Sequence, residues 1–232
     1  MKYLSKYLII FFVLSFNKLS AHDNYYFGIG VCKEDGNNKI ESNFKNFHSN
    51  KQKNNFSHQG YGLETMMGYG VLLNNFYLGL ETFLSLKNIK EESYYEFDTF
   101  IVNNNNSFIT TIKKKESYGG CIRGGYKLIN NNLLYSKIGL IISKLKINLN
   151  NRNDYYQVEN LSNNFKKNIQ GVIMGIGTEF LIDNNFLFRF EFCHNVYRKY
   201  NFSKFSQARS INVSIKPRSN EVKIALLIPL HR

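Results

Sequence analysis

Residues 60–86, GYGLETMMGYGVLLNNFYLGLETFLSL, read with a period of two on both sides of Asn74-Asn75. Before that dipeptide, Tyr61, Leu63, Thr65, Met67, Tyr69, Val71 and Leu73 share one face, and Gly62, Glu64, Met66, Gly68, Gly70 and Leu72 the other. After it, Phe76, Leu78, Leu80, Thr82, Leu84 and Leu86 alternate with Tyr77, Gly79, Glu81, Phe83, Ser85 and Lys87. Successive side chains of a strand point to opposite faces, so the segment predicts a β-hairpin turning at Asn74-Asn75. A water-soluble sandwich would bury its large apolar face and place polar groups, with few glycines, opposite. Here the opposite face carries glycines and glutamates. That combination predicts a greasy exterior around a crowded, partly polar interior, the cross-section of a barrel in lipid.

Moving outward, the same alternation recurs. Phe27, Ile29 and Val31 oppose Gly28, Gly30 and Cys32; Ile122, Tyr126 and Leu128 oppose Gly119, Cys121, Arg123, Gly125 and Lys127. Leu134, Ile138, Leu140 and Ile142 oppose Tyr135, Lys137, Gly139 and Ser143, and Val172 to Phe180 oppose Ile173 to Glu179. Phe186, Phe188, Phe190 and Phe192 oppose Leu187, Arg189, Glu191 and Cys193, and Val222 to Leu230 oppose Glu221 to Leu227. Short turns at Asn74-Asn75, Asn130-Asn131-Asn132 and Asp183-Asn184-Asn185 alternate with long polar stretches near 34–58, 90–116, 149–168 and 201–219. The expectation is an all-β chain: an eight-stranded antiparallel up-and-down transmembrane β-barrel with short periplasmic turns and four long extracellular loops. A soluble lipocalin-like barrel shares the strand number but not the strict alternation of connections. In the second long stretch, Tyr94–Val102 and Ser107–Lys115 flank four asparagines and predict a hairpin protruding above strands three and four. Pro217 falls in a predicted loop and Pro229 near the chain end, which leaves strand interiors free of proline. Aromatics cluster near strand ends at Tyr25, Tyr26, Tyr61, Phe76, Tyr77, Tyr118, Phe186 and Tyr197, as interfacial girdles would.

Residues 1–21 read as a secretory signal peptide, with Lys2 and Lys6 before an apolar run from Leu8 to Phe16 and a Leu19-Ser20-Ala21 exit. The apolar run is too short to span a bilayer as a helix. Cleavage near Ala21 leaves 22–232 as one barrel domain destined for the bacterial outer membrane. The chain carries 30 Lys+Arg against 17 Asp+Glu; losing Lys2, Lys6 and Lys18 still leaves 27 against 17. An exported chain seldom meets nucleic acid, so none is expected as a partner. Basic loops instead suit anionic lipid headgroups or an acidic surface. Cys32, Cys121 and Cys193 fall on the inward faces of the first, fourth and seventh strands, which are not neighbours, so buried free thiols are expected.

Inward positions hold Glu64, Glu81, Glu179, Glu191 and Glu221 with Lys87, Arg123, Lys127, Lys137, Arg189 and Lys223. An eight-stranded barrel is barely wider than the side chains filling it, and a desolvated lone ion is costly. These groups therefore predict an interleaved ionic network, either a structural plug or the lining of a gated polar pore, with glycines making room for long arms. No catalytic motif is present: His22, His48, His58, His194 and His231 have no metalloprotease spacing, and His48 and His58 are read as ordinary loop residues. The runs Gly28-Ile29-Gly30 and Gly175-Ile176-Gly177 are read as packing glycines along strands. No enzyme activity, cofactor or metal is expected.

The segments YYFGIGV (25–31), residues 60–86, YGGCIRGGYKL (118–128) and GVIMGIGTEFLIDNNFLFRFEF (171–192), behind a signal peptide, resemble the small outer-membrane β-barrel family. That family includes opacity-type surface proteins, the outer-membrane protein A transmembrane domain and the rickettsial surface antigens. Members commonly end on an aromatic residue, whereas this chain ends Pro229-Leu230-His231-Arg232. The resemblance implies a surface-exposed antigen or adhesin of a host-associated bacterium, monomeric in outer-membrane lipid, whose loops contact host surface molecules. A narrow porin-like channel for small solutes is the alternative.

Overall fold

The computed structural model describes residues 24–45, 51–98, 105–128, 132–152, 163–183, 186–206 and 209–230. The expected signal peptide, 1–21, lies outside them, as do His22, His48 and His231. The strands are β1 (Asn24–Lys45), β2 (Lys51–Leu73), β3 (Phe76–Asp98), β4 (Asn105–Lys127), β5 (Leu133–Arg152), β6 (Asn163–Asp183), β7 (Phe186–Tyr197), β8 (Tyr200–Ser206) and β9 (Arg209–Leu230). Each strand from β1 to β7 pairs antiparallel with its successor up to β7, β7 pairs with β9, and β9 closes on β1. The wall is thus an eight-stranded barrel, with β8 an extra strand on the upper part of β9. Closure runs from Tyr25↔Leu230 to Lys45↔Ser210, so the last strand pairs with the first along nearly its whole length.

At one end the connections are tight. Leu73 and Phe76 flank Asn74, whose φ of 58° is left-handed; asparagine tolerates that region better than any other residue with a side chain except aspartate. At the other end β1 to β6 run 20 to 23 residues, about twice what a tilted strand needs to cross a bilayer. The protruding hairpin expected only of the second connection is therefore a feature of all four. The polar stretches keep their ladders because pairing backbone N–H and C=O groups satisfies both.

Pro217 lies inside β9, opposite Asn38 of β1, rather than in a loop. A proline cannot donate to a ladder. Next to it the other neighbour breaks: Val196 pairs with Arg218 and Tyr200 with Ile215, while Tyr197, Arg198 and Lys199 between them have no β9 partner and the register slips by one. The break that separates β8 from β7 is thus matched to the residue that least tolerates a continuous ladder.

The two faces differ as the alternation predicts. Leu140 on the outside is 69% exposed, and Ile29, Leu63, Leu78, Ile138 and Ile176 are likewise exposed, forming an apolar belt around the lower half. Water contact for such a belt costs about 25 cal/mol per Å², which lipid removes. Tyr25, Tyr61, Phe76, Tyr118 and Phe186 face outward. Tyr26 and Tyr197 are instead buried and Tyr77 half-buried in the lumen, so three of the eight girdle candidates belong to the interior. Cys32, Cys121 and Cys193 are buried and free. Among the described residues no helix is long and apolar enough to cross a membrane, which does not bear on strands.

Candidate functional site

Among the described residues the lumen holds six buried carboxylates, Glu34, Glu64, Glu81, Glu179, Glu191 and Glu221, and six buried cations, Lys87, Lys114, Arg123, Lys137, Arg189 and Lys223. Strand alternation delivers one or two of them from every long strand. Equal numbers matter here because each ion removed from water loses several kcal/mol of hydration that only a partner restores.

Two knots are joined by a short ladder of pairs. In the lower knot, Arg123 and Arg189 both grip Glu179, Arg189 through Nε at 3.0 Å and Nη2 at 2.7 Å. Arg189 also bonds Glu81, to which the Tyr26 hydroxyl donates at 2.7 Å. Arg123 donates to the Tyr26 hydroxyl at 2.7 Å and the Tyr77 hydroxyl at 3.2 Å, and its guanidinium lies 3.8 Å from the Tyr135 ring centre. Stacking on a ring suits a planar, weakly hydrated cation. Lys137 bonds Glu191 at 2.5 Å, and Tyr135 donates to the same carboxylate. Higher up, Lys223 meets Glu64 at 2.6 Å and Glu221 at 3.3 Å. Lys87 then links Glu221 to Glu34, the latter at 2.7 Å.

Glu34 anchors the upper knot. Lys114 reaches it at 2.7 Å and donates to the Tyr197 hydroxyl at 2.8 Å; His58 Nε2 stands 3.6 Å from the same carboxylate. Burial alone would raise the Glu34 carboxyl, but Lys114 and then Lys87 outweigh it and hold it well below the ordinary carboxylate range. Asn195 donates to Glu221 at 2.7 Å, and Ser143 lies 2.9 Å from Tyr197 and 2.7 Å from Ser117. The cavity beside this knot, lined by Glu34, His58, Lys114 and Tyr197, measures about 20 Å³, room for one water.

Ten of the eleven residues singled out from the sequence meet in this network. Lys127 does not: it is the last residue of β4, half-buried at the turn end. Glu34 and Lys114 were assigned to polar loops, and both belong to the lumen. Continuing the alternation from Cys32 would have placed Glu34 inward. Lys114 had no such signal, because an irregularity between Lys114 and Ser117 shifts the alternation by one residue. His58 is likewise not a loop residue but a buried position of β2.

The glycines make room mainly for rings. A Cβ on Gly68 would lie 2.7 Å from Tyr26 Cε1, and one on Gly177 would lie 2.6 Å from the Tyr135 hydroxyl. Gly70 and Gly79 flank Tyr77 in the same way. Among the described residues no group of three His, Cys, Asp or Glu side chains is placed to hold a metal ion.

The sequence matches no protein-family model, and a search of curated proteins gives no match. Solved structures do match. The chain is similar to the outer membrane protease OmpT of Escherichia coli, with TM-score 0.52 and 11% identity over 92% of this chain and 99% of that one. It is also similar to the outer membrane protein OprG of Pseudomonas aeruginosa, with TM-score 0.49 and 9% identity over 93% and 100%. The chain has the fold of an outer-membrane β-barrel. At such identities the likeness extends to fold alone.

Proposed function

We propose that this chain is an integral outer-membrane barrel whose lumen is a structural plug and whose working part is the collar of strand hairpins on the cell surface. The short turns then face the periplasm and the long hairpins the outside. Within this reading the chain belongs with the opacity-type surface proteins, the outer-membrane protein A transmembrane domain and the rickettsial surface antigens, and its collar contacts host surfaces as an antigen or adhesin. The observation that carries the reading is the interior: among the described residues six cations and six carboxylates interlock through the lower half of the barrel, with a cavity of about one water beside Glu34. A solute path would have to break several buried pairs at once, each at a cost of several kcal/mol.

The collar is long, basic and held out by ladders, a form suited to presenting side chains rather than transporting through them. Intact cells treated with a membrane-impermeant amine reagent should be labelled at collar lysines such as Lys113 and Lys146 and spared at Lys87, Lys137 and Lys223. Shortening the sequence stretches 46–50, 99–104 and 153–162 that connect the long strands, one at a time, should reduce adhesion to host cells for at least one of them. Unchanged adhesion for every shortened barrel would refute the adhesin role.

A further inference from the structure

Four lysines far apart in sequence stand side by side on the outer wall. Lys90 of β3 pairs with Lys113 of β4, Lys113 with Lys146 of β5, and Lys146 with Lys166 of β6. All four lie on outward positions, exposed or half-buried, opposite the buried Ile89, Lys114, Leu145 and Ile169 faces. Neighbouring strands are about 5 Å apart, and like charges directly across a ladder repel. Lys113, Lys146 and Lys166 make no ion pair with a described residue. Lys115 and Lys144 lie just below, and of these Lys144 pairs with Glu116 at 2.5 Å.

The position of the row selects its counter-charge. The last outward apolar residues on these strands are Leu86, Tyr118, Ile142 and Val172, four to six residues below. At about 3.3 Å per residue on a tilted strand, the lysine Cα atoms sit roughly 10 Å above the belt, and a lysine side chain can bend back toward an interface from there. A fold that tolerates the three in-register ammonium groups of Lys113, Lys146 and Lys166 at that height needs anions fixed at that height.

We propose that the Lys113–Lys146–Lys166 row docks the phosphate groups of anionic lipid in the leaflet that surrounds the barrel mouth. The proposal rests on the outer-membrane reading above and names the lipid chemistry that this wall prefers. The opposite wall carries a shorter row, Lys39 facing Lys216, with Lys199 bonded to Glu41 nearby, and serves as an internal control.

The test uses the mature chain inserted first into phosphatidylcholine vesicles, where a band that shifts on boiling reports a folded barrel. Inserted barrels are then transferred to uncharged micelles and titrated with phosphatidylglycerol, with bound lipid counted by native mass spectrometry. The triple variant K113Q/K146Q/K166Q should bind phosphatidylglycerol about a hundredfold more weakly, on the order of fivefold per lysine. The control K39Q/K199Q/K216Q, which removes equal charge, should bind as the unmodified chain does. Equal losses in both variants, or none in the first, would overturn the site. Displacement of the lipid by millimolar inorganic phosphate would assign the row to free phosphate instead. Tighter binding of a polysulfated glycan than of phosphatidylglycerol would assign it to glycans. Failure of the unmodified chain to insert into phosphatidylcholine is a separate readout and would remove the membrane reading beneath the proposal.

Discussion

Lys113 and Lys114 are adjacent in sequence and opposite in fate. Lys114 points into the lumen, where Glu34 neutralises it at 2.7 Å and Tyr197 completes its hydrogen bonding. Lys113 points outward, where its cross-strand neighbours are Lys90 and Lys146. One lysine is held by the protein's own anion; the other is left for an anion the protein does not supply. The same contrast runs through the whole molecule. The inner wall is balanced and closed on itself, the outer collar is basic and open, so composition alone reveals neither.

The largest expected effect lies on the inner side of that contrast. Arg189→Met leaves Glu81 and Glu179 short of a buried partner and should cost roughly 3–5 kcal/mol in urea unfolding from vesicles. Lys223→Met alone should cost nearly as much, whereas Glu64→Leu with Lys223→Met should recover most of the loss, because removing a buried pair together leaves no orphan charge. A double variant as unstable as the single one would break the plug account.

Next comes the upper knot. Lys114→Gln should cost about 1–3 kcal/mol, since Lys87 still holds Glu34. Because the Glu34 carboxyl is depressed in the folded barrel, its contribution is full above the free value near pH 4.3 and is lost as pH falls toward the folded value. Acid unfolding below about pH 4 should therefore be steeper for the unmodified barrel than for Lys114→Gln. Identical acid profiles would show that Lys114 does not set the Glu34 charge.

Gly68→Val should cost about 1–3 kcal/mol, because the new side chain collides with the Tyr26 ring; an unchanged unfolding midpoint would show that the ring can move aside. The smallest effect is on the outer wall and has the opposite sign. In uncharged micelles Lys113→Gln should stabilise the barrel by roughly 0.2–1 kcal/mol, and added salt should erase the gain. Destabilisation by this change would mean that Lys113 is already paired.

The period of two made the barrel wall legible, along with the inward ions of the lower lumen and the alternation of tight and long connections. The heights of the strands were not legible, since asparagine and lysine are poor strand formers alone, yet they continue ladders that their neighbours have begun. Lys114 was hidden by the irregularity before Ser117, which exchanges the faces of the Lys113-Lys114-Lys115 run. Tyr26, Tyr77 and Tyr197 look like girdle residues by ring chemistry at a strand end, although the alternation that sets Tyr77 opposite Phe76 already turns it inward. Pro217 looked like a loop marker because proline seldom sits inside a strand, and the interruption of β7 and β8 beside it is a feature of pairing, not of sequence. The lysine row was beyond reach for a related reason: its members are separated by one tight turn and by long connections, and meet only through register.

Single-channel recording across a planar bilayer holding the refolded mature chain is the most direct test of the plugged lumen. A folded barrel that remains electrically silent at moderate voltage is the predicted result. Steady, discrete openings would contradict it and make Glu34, Lys87, Lys114 and Glu221 the gate of a pore.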